Sequence, residues 1–204
     1  MVQDSSPAPS DEQLLQKHLA GDPEAFGELY RRYEKGIFFL VRQFFSQAAK
    51  AEEVFQEVFM KLLERADRFH SEGSFKAWFW SLARNHCIDR IRYQVRRPET
   101  PASALGSGEG DEASPLDRMA VQDPEAETQA YEAELVRHLN EALADLPQDQ
   151  RETFLLKERG GLTFEEIAQT MEVSVNTAKS RMRYALKTLR RTLKHKAFIK
   201  EAQP

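Results

Sequence analysis

Apolar residues recur along this chain at the three- and four-residue spacings of amphipathic helices. Leu14, Leu15, His18 and Leu19 mark a first helix that begins at Asp11, with Ser10 as its cap. Gly21-Asp22-Pro23 closes it and opens the next, because Asp at the cap and Pro at the first helical position both favour helix entry. The second stripe runs through Phe26, Leu29, Tyr30 and Tyr33 to Ile37, Leu40, Val41 and Phe44, roughly six turns. After a break over residues 46–50, residues 51–69 predict a third helix with Val54, Phe55, Val58, Phe59 and Leu62 facing inward. Its other face carries Glu53, Gln56, Glu57, Lys61 and Glu64, a surface suited to water or to a protein partner. Residues 70–73 connect it to a fourth helix over 74–97, in which Ser74 is the natural cap and Phe75, Trp78, Phe79 and Leu82 form the inner stripe. On the same wheel Trp80 aligns with Arg84 and Ile91, which predicts an exposed aromatic beside a guanidinium, and Pro98 ends the helix. No segment of residues 11–97 carries a strand signal, so they read as a four-helix all-α bundle.

Residues 98–128 break the pattern. They hold four prolines, three glycines and few large apolar side chains, too little to bury a core, and are expected to form a flexible linker. Helical spacing resumes at 129 with Leu135, Leu139 and Leu143, stops at Leu146-Pro147, and resumes from 148 to 159 through Phe154, Leu155 and Leu156, with Gly160-Gly161 as a C-cap signal. Thr163 and Glu166 form a capping-box pattern ahead of Ile167, Ala168 and Met171. A short turn at Glu172-Val173 leads to Ser174, which can cap a last helix whose apolar stripe is Val175, Ala178, Met182, Ala185, Leu186, Leu189 and Leu193. Asn176, Thr177, Lys179, Ser180, Arg181, Arg183 and Lys187 take the opposite side. Two short helices joined by a tight turn, the second basic and polar at its leading end, match the helix-turn-helix design that sets a recognition helix in the major groove. The fold class is therefore all-α, with two small helical domains at 11–97 and 129–196, a linker at 98–128, and Ser/Pro-rich and C-terminal tails at 1–10 and 197–204.

Charge sharpens this division. The 204 residues carry a net charge of -4, but that figure hides a strong segregation. The linker holds eight acids against one base, Arg118, whereas residues 179–200 hold nine bases and no acid. A helix-turn-helix pattern alone also occurs in domains that bind no DNA; an acid-free basic helix favours phosphate binding. Lysine and arginine there can bind guanine edges or pin phosphates, and the sequence leaves open which residue does which. The fourth helix is likewise basic towards its end, with Arg84, Arg90, Arg92, Arg96 and Arg97 against Asp89. With Trp80 exposed, it would hold phosphates while stacking on an unpaired base; the plainer alternative is that both tryptophans are core and the arginines a solvated face.

Other chemistries are poorly supported. Cys87 is the single cysteine, which excludes an internal disulfide and fits a reducing cytoplasm. His86 and Cys87 are adjacent, so on a helix they point about 100° apart and cannot pair as base and nucleophile. His18, His70, His86, His138 and His195 show no metal-ligand spacing, and no G-x-x-x-x-G-K-[ST] phosphate loop is present. No apolar run approaches the roughly 20 residues that span a bilayer, and the N-terminus resembles neither a secretory signal nor a transit peptide. The expectation is a cytoplasmic protein that is not an enzyme and has no cofactor, metal, membrane or small-molecule substrate.

Four stretches in order, AEEVFQEVFMKLL at 51–63, FKAWFWSLARNHCIDRIR at 75–92, LPQDQRETFLLKERGGLTFEEIA at 146–168 and VSVNTAKSRMRYAL at 173–186, resemble those of extracytoplasmic-function sigma factors. The resemblance covers nearly everything outside the N-terminal tail and the linker. It implies core RNA polymerase and promoter DNA, duplex and melted, as partners, and an anti-sigma factor that holds the protein in check. Glu53, Gln56, Glu57 and Lys61 would then meet the clamp coiled coil of polymerase. Phe69, His70 and Ser74, in the loop before the aromatic helix, would lie at a base flipped from the non-template strand of the −10 element. Trp80, Arg84, Asn85, Arg92, Arg96 and Arg97 would support melting, with Trp78 structural. Asn176, Thr177, Lys179, Ser180, Arg181 and Arg183 would face the −35 element, and the linker would thread towards the active-site cleft. The chain departs from the family's usual pattern where Glu172 and Asn176 replace a frequent glycine, where Tyr184 replaces a frequent arginine, and where His70-Ser71-Glu72-Gly73 replaces an Arg-Gly pair after the phenylalanine. The rival reading is a stand-alone helix-turn-helix regulator, which would usually dimerise to read two half-sites; no dimer seam is evident in the sequence.

Overall fold

The computed structural model describes residues 8–69, 73–96 and 137–201, with side chains as far as residue 194. The first tail residues, His70, Arg97 and the linker lie outside the described residues. All regular structure among those described is helical, and the chain divides into two compact units, Met1–Tyr93 and Gln94–Pro204.

The first unit contains α1 (Asp11–Leu19), α2 (Pro23–Arg42), α3 (Ala48–Arg65), a 3-10 turn (Ala66–Arg68) and α4 (Phe75–Arg96). Ser10 caps α1 through a reciprocal pair: its hydroxyl accepts from the Gln13 N–H at 3.2 Å, and the Gln13 side chain accepts from the Ser10 N–H at 2.9 Å. Asp22 accepts from the Glu24 N–H at 3.0 Å and Pro23 takes the first turn of α2, as the Gly-Asp-Pro run predicts. Two boundaries differ from the pattern. α3 begins three residues before 51, at Ala48, and it gives way to the 3-10 turn after Arg65 instead of running to 69. The start lacks a side-chain cap on Gln47, so no cap signature was there to be read.

The core of this unit is aromatic. Phe75 and Phe79 of α4 are fully buried, with edge contacts to Tyr33 at 5.7 and 5.2 Å between ring centroids; Phe79 also meets Phe59 at 5.4 Å. Phe59 in turn packs against Phe55 and Tyr30 at 5.1 and 4.8 Å. Such tilted and edge-to-face pairs add about 0.5–1.5 kcal/mol each beyond area burial. The N-terminus of α4 is also held from outside, because the Glu12 carboxylate of α1 accepts from the Phe75 N–H at 3.0 Å. Burial pushes that carboxyl up, but this backbone N–H, with the Ser10 hydroxyl, outweighs it and leaves the group below its ordinary range.

Trp80 corrects the helical-wheel expectation. It is 2% exposed, among the largest buried side chains of the unit, while Trp78 is half-buried against Phe69 and Phe75. The buried set of α4 is Phe75, Phe79, Trp80, Leu82, Ala83, His86 and Cys87, which wraps well beyond one stripe. At about 100° per residue this set fills one arc of about 160°, wider than the Phe75–Leu82 stripe, so a wheel built on that stripe alone misassigns Trp80 at the arc's edge.

The second unit contains helical residues 137–144 (α5), α6 (Gln148–Glu158), α7 (Phe164–Thr170) and α8 (Val175–Glu201). The predicted stripe of α8 holds at its centre: Ala178, Met182, Ala185 and Leu189 are buried with Leu143, Leu146, Leu155, Leu156, Leu162 and Ile167, while Val175, Leu186 and Leu193 are only partly so. α8 continues past residue 196, where the C-terminal tail was expected to begin. Arg151 ties α5 to α6 by donating to the Ala144 and Leu146 carbonyls at 3.1 and 3.0 Å. Gly161, at φ 59°, makes the left-handed exit from α6. The Thr163–Glu166 capping box starts α7, with bonds of 3.2 and 2.7 Å. Between α7 and α8, Glu172 sits at φ 54°, a left-handed position that explains why glycine is the natural occupant of that turn. Ser174 then caps α8, accepting from the Thr177 N–H at 3.0 Å.

Candidate functional site

Two polar surfaces, one on each unit, carry the predicted site residues. On the first unit, the α3 residues expected to meet polymerase separate into two sets. Glu53 accepts from Lys50 at 2.8 Å and from Arg90 of α4 at 2.7 Å; Glu57 meets His86 Nε2 at 2.7 Å and Arg90 Nε at 3.2 Å. The Lys50 ammonium holds the Glu53 carboxyl below its ordinary range despite some desolvation, with Arg90 adding to the effect. These carboxylates therefore clasp α3 to α4, and Arg90, one of the arginines counted towards the basic end of α4, turns inward to them. Burial pushes the His86 imidazole below its ordinary value, outweighing the Glu57 contact that works the other way. Gln56 stays exposed and Lys61 partly so. Beside them lie Met60, 57% exposed, and Leu63, which sequence reasoning did not single out. Their spacing of four and seven residues from Gln56 puts them on one ridge, a signal available in the sequence but masked by the charges around it.

The residues assigned to DNA opening are also divided. Phe69 is buried, packed on Phe75 and Trp78 at 5.6 and 5.4 Å. The Ser74 hydroxyl accepts from the Ala77 N–H at 3.3 Å, so it is a helix cap. Trp80 is core and cannot stack on a base from that position. Asn85, Arg92 and Arg96 are exposed and Arg84 is half-buried, with Arg92 3.7 Å from Asp89. His70 and Arg97 lie outside the described residues.

On the second unit, Asn176, Lys179 and Arg183 are exposed on α8 and Ser180 is partly so. Thr177 exchanges a hydroxyl hydrogen bond with Ser174 at 2.8 Å, adding to the cap. Arg181 departs from the expected face: it pairs with Asp149 of α6 at 2.8 Å and is only 23% exposed, so it fastens α8 to the unit. A groove of about 480 Å³ runs along α8, lined by Lys179, Met182, Arg183, Leu186, Lys187 and Arg190. Its rim is cationic and its floor apolar. Lys179 and Lys157 flank the Phe164 ring of α7 at 5.9 and 5.1 Å, within cation–π range. Tyr184, half exposed on α8, carries the Arg183 guanidinium over its ring at 5.2 Å. Among the described residues there is no His/Cys/Asp/Glu group able to hold a metal ion, and no helix is long and apolar enough to cross a membrane.

A helix-turn-helix with a cationic second helix, preceded along the chain by an aromatic-cored bundle, defines a DNA-binding protein of two modules. Residues 29–97 match the Sigma-70 region 2 family and residues 137–189 match Sigma-70, region 4. The RNA polymerase sigma-H factor of Pseudomonas aeruginosa is 30% identical over 175 residues, covering 84% of this chain and 88% of its own length. The ECF RNA polymerase sigma factor SigK of Mycobacterium tuberculosis is 31% identical over 187 residues, covering 90% and 94%. In fold the chain is similar to CnrH, solved with the cytosolic domain of CnrY (TM-score 0.61, 21% identity, 92% of this chain and 99% of that one). It is also similar to the sigma factor RpoE of Bartonella quintana, solved with the anti-sigma factor NepR (TM-score 0.60, 21% identity, 83% and 96%). The chain belongs to the extracytoplasmic-function sigma factors of the sigma-70 family. It is a transcription initiation factor that directs RNA polymerase to promoters, and it is not an enzyme.

Proposed function

We propose that the two surfaces divide the work of initiation. The ridge of α3 that includes Gln56, Met60, Leu63 and Lys61 docks on the clamp coiled coil of core polymerase, with Glu53 and Glu57 at its edge bracing α4. Asn85, Arg92, Arg96 and Arg84 of α4 hold the phosphates of the −10 region. The loop that follows Phe69 receives an unstacked base, a role Trp80 cannot take. Melting is driven by binding energy: unstacking costs a few kcal/mol per base, offset by the contacts the freed base and the phosphates make. On α8, Asn176, Lys179, Ser180 and Arg183 face the −35 element, while Thr177 and Arg181 set the angle at which α8 is presented. The observation that carries this reading is the exposed cationic ridge of α8 behind a capped helix-turn-helix. The protein acts in the cytoplasm, where its polymerase is, and an anti-sigma factor restrains it.

Hydroxyl-radical footprinting of core polymerase with the full chain on a promoter library tests the division. Protection over two separate boxes is expected, with Lys179→Ala and Arg183→Ala weakening the upstream box alone. A single protected box, or protection that the chain produces without core, contradicts it.

A further inference from the structure

We propose that Tyr184 is a specificity-determining residue of α8, reading the C5-methyl group of a thymine in the −35 element, with Arg183 held beside it as a second reader. This rests on the proposal that α8 faces the −35 element and adds which base feature it selects.

The argument begins with position. The buried line of α8 passes through Ala178, Met182, Ala185 and Leu189. At about 100° per residue, Asn176, Ser180, Arg183, Tyr184 and Lys187 fall on the opposite side, in agreement with the exposed or partly exposed state of each. Tyr184 therefore lies one turn beyond Ser180, on the side of the helix that a major groove would receive.

Exposure is the second step. A tyrosine on a small domain usually buries its ring and leaves only its hydroxyl wet, yet Tyr184 keeps 50% of its surface exposed, on the side of α8 turned away from its apolar line.

The third step is stiffness. The Arg183 guanidinium lies 5.2 Å from the centre of the Tyr184 ring, so each side chain limits the other's rotamers. A tyrosine has only two rotatable side-chain bonds, and a stacked partner lowers the entropy that contact formation would cost. The pair presents a guanidinium over one face of an exposed ring.

The chemistry of the groove then selects the target. Thymine is the one base that presents an apolar group in the major groove, its C5-methyl, and apolar side chains recognise it by contact. The guanidinium beside it has the fork geometry for guanine O6 and N7 or for a phosphate. Arginine at position 184 would instead favour guanine or phosphate, so tyrosine here moves preference towards thymine.

The test uses the full chain with core polymerase. A duplex library randomised upstream of a fixed −10 element is first selected with the wild-type holoenzyme. Each thymine of the selected −35 sequence is then replaced singly by deoxyuridine, which removes only the methyl group, and affinity is measured. The expected result is a loss of about 3- to 10-fold at one or two thymines, in the range of a single base contact. Tyr184→Phe should keep that sensitivity, and Tyr184→Ala should bind thymine and deoxyuridine duplexes equally. Lys187→Ala should weaken every sequence by the same factor. Uniform weakening by Tyr184→Ala, or an unchanged methyl sensitivity in that variant, overturns the proposal while leaving the −35 assignment of α8 intact. Failure of the wild-type holoenzyme to enrich any upstream sequence overturns both. The melting temperature of Tyr184→Ala, expected to match wild type at so exposed a position, separates a lost contact from a lost fold.

Discussion

The two units are both small helical modules, yet they are built from different materials. The first is cored by interlocking rings: Tyr30, Tyr33, Phe55, Phe59, Phe75 and Phe79 touch one another across α2, α3 and α4. The second is cored by Leu, Ile, Ala and Met, and two of its aromatic groups, the partly buried Phe164 and the exposed Tyr184, lie under cations. The difference teaches where each module places its functional groups. The buried side of α4 is broad enough to take in Trp80, and leaves Arg84, Asn85, Arg92 and Arg96 along the remaining side for DNA. An aliphatic core needs only one stripe of α8, and leaves the rest of that helix for base edges and phosphates.

The sharpest way to break this comparison is to hollow out the first core. Phe79→Ala should destabilise the protein by about 3–5 kcal/mol, measured by urea denaturation, because a fully buried ring with three ring neighbours leaves a cavity the helices cannot close. Trp80→Ala should cost a similar amount, and its transcription defect should be equal on duplex and pre-melted templates. A defect confined to duplex templates would restore a melting role for Trp80. In the second unit Leu156→Ala, also fully buried, should cost about 2–5 kcal/mol. A loss below 1 kcal/mol would mean that the aliphatic core is not what holds α8 in place.

The pH response should sharpen the comparison further. His86 has its folded-state value below its ordinary one because burial disfavours the imidazolium. Its contribution is therefore present above about pH 6.5, the value of an unfolded histidine, and is lost as the pH falls from there towards the folded value. Wild type should thus lose stability on acidification through that window, and His86→Gln should show a shallower slope. An identical slope in both proteins would exclude His86 as its source.

The smallest effects belong to the second unit's surface and turn. Removing Asp149 should cost less than about 1 kcal/mol, since its ion pair with Arg181 is half exposed on the aspartate side. It should nevertheless weaken −35 binding, because Arg181 would no longer be fixed. Glu172→Gly should stabilise the protein by a few tenths of a kcal/mol: release of a left-handed residue, worth about 1–2 kcal/mol, is offset by the greater entropy of an unfolded glycine.

What could be read in advance follows the same divide. Capping residues Ser10, Asp22, Ser74, Thr163 and Ser174 act as their residue types suggest, and the middle of the α8 stripe, Ala178 to Leu189, is largely buried as its spacing requires. These are local signals, settled within a turn of helix. Trp80 is buried and Arg181 is paired with Asp149 of α6, against expectation, and Arg90 is likewise taken up by Glu53 and Glu57 of α3; such partners lie far along the chain. A helical wheel holds one helix and one stripe, so it cannot show that a charged residue has a partner on the next helix. Met60 and Leu63 were overlooked for the converse reason, apolar side chains being assumed inward unless a neighbour excludes them.

The most direct measurement is run-off transcription by purified core RNA polymerase on a promoter selected by this chain, with wild type, Gln56→Ala/Met60→Ala and Lys179→Ala/Arg183→Ala compared. Initiation should require the wild-type chain. The first double variant should reduce initiation on every template through weaker core binding. The second should reduce it only where a −35 element is present. Core polymerase that initiates no better with the wild-type chain than without it would contradict the account at its root.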